Sequence, residues 1–302
     1  MVIHIYSICK PFLFVVSDFV VNFSEELPLM LQIIVATDFS EVADNALRYA
    51  CQLARDVNAS ITVVHSFIIP VTFSDTPMPV MPLDEGREIA QDRMNEVMAG
   101  LRNGFSDVQL DGKIMFGDII DSIQELAEDT KPWLIVLGNS GSGNAPLWLG
   151  SNVLSGLKDL HTPVLAVPLQ ARYKRPEKIC FACDFQNITN ELPATDILQL
   201  IAETKAELHV LTVDFENKNL NETTVFENAG LHHALATLQP VYHYVEKENV
   251  EDGIHDFLAD NQMDWLMIMP HKHSFFDWLF HKSHTKAIMK TVEIPLVAIH
   301  EK

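Results

Sequence analysis

The chain has 302 residues, of which 48% are hydrophobic and 21% charged, a composition typical of a soluble globular protein long enough for two domains. Its formal net charge of -20 argues against a nucleic-acid or anionic-membrane binder, because such proteins hold phosphate groups with surplus Lys and Arg. The four cysteines are too few for a disulfide scaffold, so we expect a reducing, cytoplasmic location.

The first 29 residues lack the alternation of strand and helix patterns that the rest of the chain shows. An apolar run over 11–16 is interrupted by Asp18 before a second run ends at Phe23, which is too short to span a bilayer. No small-residue cleavage site follows, as a secretory signal would require. We therefore interpret residues 1–29 as an N-terminal extension, either a gene-start artefact or a loosely attached segment, and expect Met30 to be the natural start.

From Leu31 onward, short apolar strands alternate with amphipathic helices, which predicts a mostly parallel sheet covered by helices on both faces. In the first half we expect strands at 31–36, 61–65, 108–115, 134–137 and 162–167, and helices at 40–53 (capped by Ser40), 85–101, 119–128 and 150–160. In the second half we expect strands near Ile179 and at 208–213, 241–245, 265–269 and 295–299, and helices at 191–205, 222–238 and 250–261.

The second half repeats the first. The strand that ends in Asp38-Phe39 matches the one that ends in Asp184-Phe185, and two further matches pair Trp133 with Trp265 and Pro163 with Pro295 without a gap between them. We predict two tandem Rossmann-like or flavodoxin-like α/β domains, each a mostly parallel five-stranded sheet flanked by helices, paired pseudo-symmetrically. The expected boundaries are 30–169 for domain 1, 170–176 for the linker and 177–302 for domain 2.

A glycine-rich turn follows the strand at 134–137 and leads into a helix. Glycines allow backbone amides to approach a ligand closely, and a helix start offers unpaired N–H groups, so the segment from Gly138 to Ser151 is suited to an anion. Asn139 and Ser140 fit phosphate contacts, although a solvated turn uses the same residue types. The alternative is a structural turn that persists from a binding ancestor.

In the gapless alignment, the second copy of this turn has lost its glycines. Gly138 corresponds to Pro270, and the two later glycines of the turn to His273 and Lys282. Proline removes a backbone donor and a side chain blocks close approach, so we expect one binding site per chain, in the first domain.

Together these residues resemble the universal stress protein family, over residues 31–302. The resemblance rests on Asp38 after the first strand, Gly138-x-x-Gly141, Gly150-Ser151 and a last strand led by proline; the spacer between Gly141 and Gly150 is one residue shorter than in the family pattern. It implies a stress-response protein that binds ATP or a related adenine nucleotide, with or without Mg²⁺. The implied cofactor-binding residues are Ala36, Asp38, Val64, Leu137, Gly138, Asn139, Ser140, Gly141, Gly143, Gly150, Ser151 and Asn152. Asp38 can contact the nucleotide or cap the helix that begins near Ser40.

Several common enzyme motifs are absent from the sequence. It has no Walker-type phosphate loop and no G-x-G-x-x-G, and the Gly138 loop has no Lys or Arg to stabilise a transferring phosphoryl group. Slow ATP hydrolysis is therefore the upper limit that we expect. The alternative is a ligand-free interaction protein that docks a partner through the His- and aromatic-rich segment 271–284. Metal binding by the histidines of this segment is the less favoured interpretation.

The remaining expectations concern pairing and isolated residues. In the resembled family the last strands pair across a two-fold axis, and the resemblance implies that the closing strands at 163–167 and 295–299 pair here and cover two edges; a homodimer is compatible with this arrangement. Cys180 and Cys183 should lie buried on opposite faces of one strand. The histidines 232, 233 and 243 have no partner at useful spacing and are expected to be ordinary helix and strand residues.

Overall fold

The computed structural model describes residues 30–68, 83–140, 153, 155–157, 159–183, 192–214, 230–269 and 293–300, together with two short strands near the start of the chain. The chain divides into two compact units, Met1–Met30 and Leu31–Lys302. In the first unit, β1 (Phe14–Val16) pairs with β2 (Phe19–Val21) in an antiparallel hairpin.

The second unit alternates strands and helices, as the apolar pattern predicts. Its first half contains β3 (Leu31–Ala36), α1 (Glu41–Val57), β4 (Ala59–Phe67), α2 (Leu83–Gly104), β5 (Leu110–Phe116), α3 (Ile119–Thr130), β6 (Leu134–Asn139) and β7 (Val164–Pro168). Residues 153, 155–157 and 159 are helical and form the β6–β7 helix. The second half contains β8 (Lys178–Ala182), α4 (Ala194–Thr204), β9 (Glu207–Asp214), a 3₁₀ turn (Ala236–Leu238), β10 (Val241–Glu246), α5 (Val250–Asp260), β11 (Trp265–Ile268) and β12 (Leu296–Ala298).

All of the described strands of this unit belong to one ten-stranded sheet, in the order β10-β9-β8-β11-β12-β7-β6-β3-β4-β5. Each half contributes five parallel strands in the same internal order, which confirms the tandem α/β fold class. The halves meet where β7 and β12 run antiparallel, with Leu165 opposite Val297. This is the predicted pairing of the closing strands, and it covers two edges that would otherwise expose unpaired backbone groups.

The gapless alignment of the two halves is wrong by one residue at the strand before the glycine loop. Ile135 donates its N–H to the Pro163 carbonyl, and the equivalent donor to Pro295 is Leu266. Ile135 therefore corresponds to Leu266, and Gly138 to Met269 rather than to Pro270. The connection to the closing strand is thus one residue longer in the second half, and the three loop substitutions inferred from the gapless alignment do not follow.

Apolar side chains fill both faces of the sheet, as expected for parallel strands covered by helices. One buried cluster contains α1, α2 and α4 side chains, and the other contains α3 and α5 side chains. Cys180 and Cys183 belong to opposite clusters, as predicted, and both are buried. Burial also raises the pKa of the Cys51 thiol to about 12. No helix among the described residues is both long enough and apolar enough to span a membrane.

Side chains of α1 hold the segment that joins the two halves. Asn45 donates from Nδ2 to the carbonyls of Pro168 and Ala171, at 3.0 and 3.1 Å, and accepts from Arg172 at 2.7 Å. The Tyr173 hydroxyl donates to Asp56 at 2.6 Å. The predicted linker 170–176, which has no helix or strand, is thus anchored along α1.

Candidate functional site

A cavity of about 230 Å³ lies at the carboxyl ends of β3, β4 and β6, beside the first turns of α1 and α3. Ligand sites of open α/β sheets are expected at this edge. Its volume is below the roughly 300–1,000 Å³ typical of sites that enclose a whole ligand, which suits part of a ligand. The described residues that line it are Ala36, Thr37, Asp38, Ala43, His65, Ser66, Ile68, Asp118, Ile119, Ile120, Leu137, Gly138 and Val153.

Asp38 lies in the turn between β3 and α1. Its Oδ1 accepts from the Ser40 backbone N–H at 3.0 Å, and Ser40 in turn caps α1 by accepting from the Ala43 N–H at 3.2 Å. Ser40 is therefore the N-cap of α1, as predicted, and Asp38 stabilises the turn that precedes this helix. Only one carboxylate oxygen is used in this contact, which leaves Oδ2 to accept from a ligand in the cavity.

His65 ties the same turn to β4. Its Nδ1 lies 2.8 Å from the Thr37 carbonyl, and because a carbonyl can only accept, Nδ1 carries the proton. The ring also packs on Phe39, at 4.3 Å between centroids, which fixes a residue with a left-handed φ of 63°. Burial lowers the pKa of His65, although the Thr37 contact and the charge of Asp38 oppose this effect.

The second half makes the same link with different chemistry. Thr37 and Cys183 are equivalent, since each donates its N–H to the neighbouring strand, to the carbonyls of Val64 and Leu211 respectively. The residue after Leu211 is Thr212, and its hydroxyl donates to the Cys183 carbonyl at 3.1 Å. A hydroxyl therefore suffices for the structural link, and the imidazole is particular to the first half.

Replacing His65 by Thr should make stability less dependent on pH. Because the pKa of His65 is lowered in the folded protein, folding favours its neutral form, so its contribution is complete above about pH 6.5 and is lost as pH falls below that value. We expect urea unfolding between pH 7.5 and pH 5 to show a smaller loss of stability for His65→Thr than for the wild type. An identical loss in both proteins would contradict this prediction.

Gly138 is required by packing at the wall of the cavity. A Cβ on this residue would lie 2.9 Å from both the Cγ1 and the carbonyl oxygen of Val42, in the first turn of α1. Since one of these atoms belongs to the backbone, the clash has no inexpensive relief. The glycine thus permits β6 to approach α1 closely, whether or not its amide also contacts a ligand.

The cavity brings together four of the predicted binding residues, Ala36, Asp38, Leu137 and Gly138. Three others are placed outside this lining. The Val64 side chain is fully buried in the core, and its carbonyl accepts from the Thr37 N–H at 2.8 Å. Asn139 is buried and Ser140 is partly buried. The remaining predicted residues, Gly141, Gly143, Gly150, Ser151 and Asn152, lie outside the described part of the chain.

Sequence reasoning missed several polar residues of the cavity, among them His65, Ser66 and Asp118. Asp118 caps α3 by accepting from the N–H groups of Ile120 and Asp121. An acidic residue directly before a helical apolar pattern is a recognised cap signal, so Asp118 could have been found from the sequence. His65 and Ser66 are marked only by their place at the end of a parallel strand.

The charge of the cavity favours hydrogen-bond donors. Its described lining has two carboxylates, Asp38 and Asp118, and no Lys or Arg. Ribose hydroxyls and base amino groups are suitable ligands for carboxylates, whereas phosphate oxygens would need backbone N–H groups or a metal ion. The cavity is therefore suited to the nucleoside part of a nucleotide.

His232 and His233 lie in a helix and His243 lies in β10, as expected, but the expectation that none of them has a partner is wrong. His243 does have a partner: its Nε2 lies 2.9 Å from Nδ1 of His209 on the adjacent strand, and the two rings stack. His232 stacks on Tyr242, with 3.7 Å between centroids. Cross-strand neighbours are set by strand register, which spacing along the chain does not show. The His- and aromatic-rich segment 271–284 lies outside the described residues.

Comparisons with known proteins agree with the fold. A sequence model described as the universal stress protein family matches residues 30–168. Stress response protein NhaX of Bacillus subtilis is 33% identical over 162 residues, which is 45% of this chain and 96% of that protein. Universal stress protein MJ0531 of Methanocaldococcus jannaschii is 26% identical over 157 residues, 50% of this chain and 85% of that protein. The crystal structure of a universal stress protein from Archaeoglobus fulgidus superimposes with a TM-score of 0.67 at 14% identity, covering 90% of this chain and 98% of that one.

Proposed function

The chain belongs to the universal stress protein family, and from that premise we propose that its first half binds an adenine nucleotide in the cavity beside Asp38. The observation that carries the proposal is the cavity itself, which lies at the strand ends where the fold is expected to bind ligands. Four of the residues predicted from the family resemblance line it.

The strand order supports one orientation of the nucleotide. β6, β3 and β4 are adjacent, and neighbouring strands lie about 4.8 Å apart, so the ends of β6 and β4 are roughly 10 Å apart. Phosphates extended towards the loop after Gly138 would place the ribose over Asp38, at the end of β3. The base would then lie near His65 and Ser66, at the end of β4.

The proposed role is binding rather than rapid catalysis. Fast phosphoryl transfer requires fixed positive charge near the transferring group, and the described lining of the cavity supplies none. The proposed ligand is ATP or a related adenine nucleotide, and Mg²⁺ would neutralise the phosphate charge where a cation is needed. A cytoplasmic location is part of the proposal, and it is supported by the buried thiols of Cys51 and Cys180.

Asp38 variants test the proposal by calorimetric titration with AMP and ATP. Replacing Asp38 by Ala should weaken binding about tenfold to hundredfold, because a hydrogen bond to a charged group contributes about 1.5–3 kcal/mol. Asp38→Asn keeps an oxygen for the Ser40 N–H but loses the charge, so it separates the turn from the ligand contact. We expect Asp38→Asn to fold as the wild type does and to bind more weakly than the wild type.

Asp44 provides the matched control for loss of charge. It lies on α1, where its half-exposed side chain pairs with Arg48, and it does not line the cavity. Asp44→Asn should therefore bind AMP and ATP as the wild type does. The proposal fails if the wild type binds neither nucleotide at millimolar concentration, or if all three variants bind equally well.

A further inference from the structure

His300 follows β12 in the second half of the sheet, but its side chain contacts the first half. Its Nε2 donates to the backbone carbonyl of Leu157 at 2.7 Å, and the residue is only 7% exposed. Leu157 belongs to the β6–β7 helix, whose last carbonyls need donors from outside the helix. The second half thus supplies a hydrogen-bond donor to a helix of the first half.

The same helix forms part of the wall of the cavity. Val153 lines the cavity directly. Gly156 packs so closely on its neighbours that a Cβ there would lie 2.5 Å from Cδ1 of Leu137 and 3.5 Å from Cδ1 of Ile120, and both of these residues line the cavity. A tilt or shift of this helix would therefore displace three lining residues, because close-packed side chains transmit displacement.

The surroundings of His300 favour the neutral ring. Nδ1 is buried and has no hydrogen-bond partner among the described residues, so a proton there would be left without an acceptor. Burial lowers the pKa of His300, and the charge of His161 acts in the same direction. The Leu157 contact and the carboxylates of Asp159 and Asp196 oppose the shift. Asp159 and His161 lie in the segment before β7, and Asp196 lies in α4.

We propose that His300 is a positioning residue for the nucleotide cavity, and that through it the second half holds the β6–β7 helix against the cavity of the first half. This inference rests on the proposed function. It gives the second half a role in a site to which it contributes no described lining residue. It also differs from simple capping of a helix, because it predicts an effect on nucleotide affinity and on the pH dependence of that affinity.

Two variants and one control test the inference, with AMP as the calorimetric probe at pH 7.5 and at a series of lower pH values. His300→Leu removes the donor and should weaken AMP binding about threefold to tenfold at pH 7.5, the range expected for one hydrogen bond. His300→Gln keeps an amide donor that does not titrate, so it should bind within about twofold of the wild type at pH 7.5. The control, His161→Gln, changes an exposed histidine near His300 and should bind as the wild type does.

The pH profile separates positioning from a purely structural contact. As the pH falls through the lowered pKa of His300, protonation of its ring should weaken AMP binding to the wild type and to His161→Gln, and should spare His300→Gln. The second protonation of the phosphate, near pH 6, is common to all the proteins and cancels in the comparison. The inference is overturned if His300→Leu lowers only the melting temperature, or if His300→Gln follows the wild-type pH profile. Failure of the proposed function would give a different result, since the wild type would then bind no adenine nucleotide at any pH.

Discussion

Gly138→Ala should both destabilise the protein and disrupt the cavity. The added methyl would lie 2.9 Å from the carbonyl oxygen of Val42 and 3.0 Å from its carbonyl carbon, so β6 and the first turn of α1 must separate. Overpacking of this kind costs about 1–3 kcal/mol. Because Gly138 and the adjoining Leu137 both line the cavity, the same displacement should weaken AMP binding by about tenfold or more.

Gly100→Ala is the matched control for this prediction. Gly100 lies inside α2, and a Cβ there would meet no atom within 4 Å. The same substitution should therefore raise stability by about 0.5–1 kcal/mol, since alanine loses less backbone entropy than glycine in a helix. Urea unfolding and AMP titration of both variants give the comparison. If Gly138→Ala were as stable as Gly100→Ala and retained full affinity, the close approach of β6 to α1 would not be needed.

The architecture was predictable because its signals are local. Short apolar runs separated by amphipathic helices predict parallel strands, and Ser40 before the first helical pattern predicts the cap that the structure contains. The pairing of β7 with β12 was predictable from the family resemblance, because two apolar strands led by proline end the two halves and match the strands that pair in that family.

Strand register could not be read from the sequence. Trp133 and Trp265 look equivalent, but the hydrogen bonds to Pro163 and Pro295 come from Ile135 and Leu266, which shifts the match by one residue. Both strands are buried on both faces, so they lack the alternation of polar and apolar residues that would set which side chain faces which helix. The backbone hydrogen bonds therefore identify the equivalent positions of the two halves, and the shared tryptophan does not.

The candidate site was predictable where a chain feature marks it, and not elsewhere. Asp38 was predicted because it comes at the end of a strand, and Gly138 because it begins a glycine-rich turn; both line the cavity. His65 could not be predicted in this way, because its contact with Thr37 joins residues 28 positions apart and depends on the pairing of β3 with β4. Val64, which was also predicted, lies outside the described lining of the cavity: its carbonyl accepts from the Thr37 N–H, and the next residue, His65, lines the cavity.

Trp265→Ala should cause the largest loss of stability among the substitutions considered. Trp265 begins β11 in the second half and is fully buried, and its indole N–H donates to the Tyr49 hydroxyl of α1 in the first half at 2.7 Å. Removing a buried tryptophan side chain costs about 3–5 kcal/mol because of the lost burial and the cavity left behind. The Tyr49 hydroxyl, in a residue only 3% exposed, would also lose its donor. Chemical unfolding followed by circular dichroism measures the loss.

A double-mutant cycle isolates the bond between the halves from the lost volume. Tyr49→Phe removes only the hydroxyl and leaves the indole N–H buried without an acceptor, so it should cost about 1–3 kcal/mol. Trp265→Phe keeps an aromatic ring but removes the donor. If the hydrogen bond couples the halves, the two substitutions together should cost less than the sum of their separate effects, because each breaks the same contact. Strictly additive losses would show that Trp265 stabilises the protein by filling volume alone, and that β7 and β12 with their surrounding core join the halves without this bond.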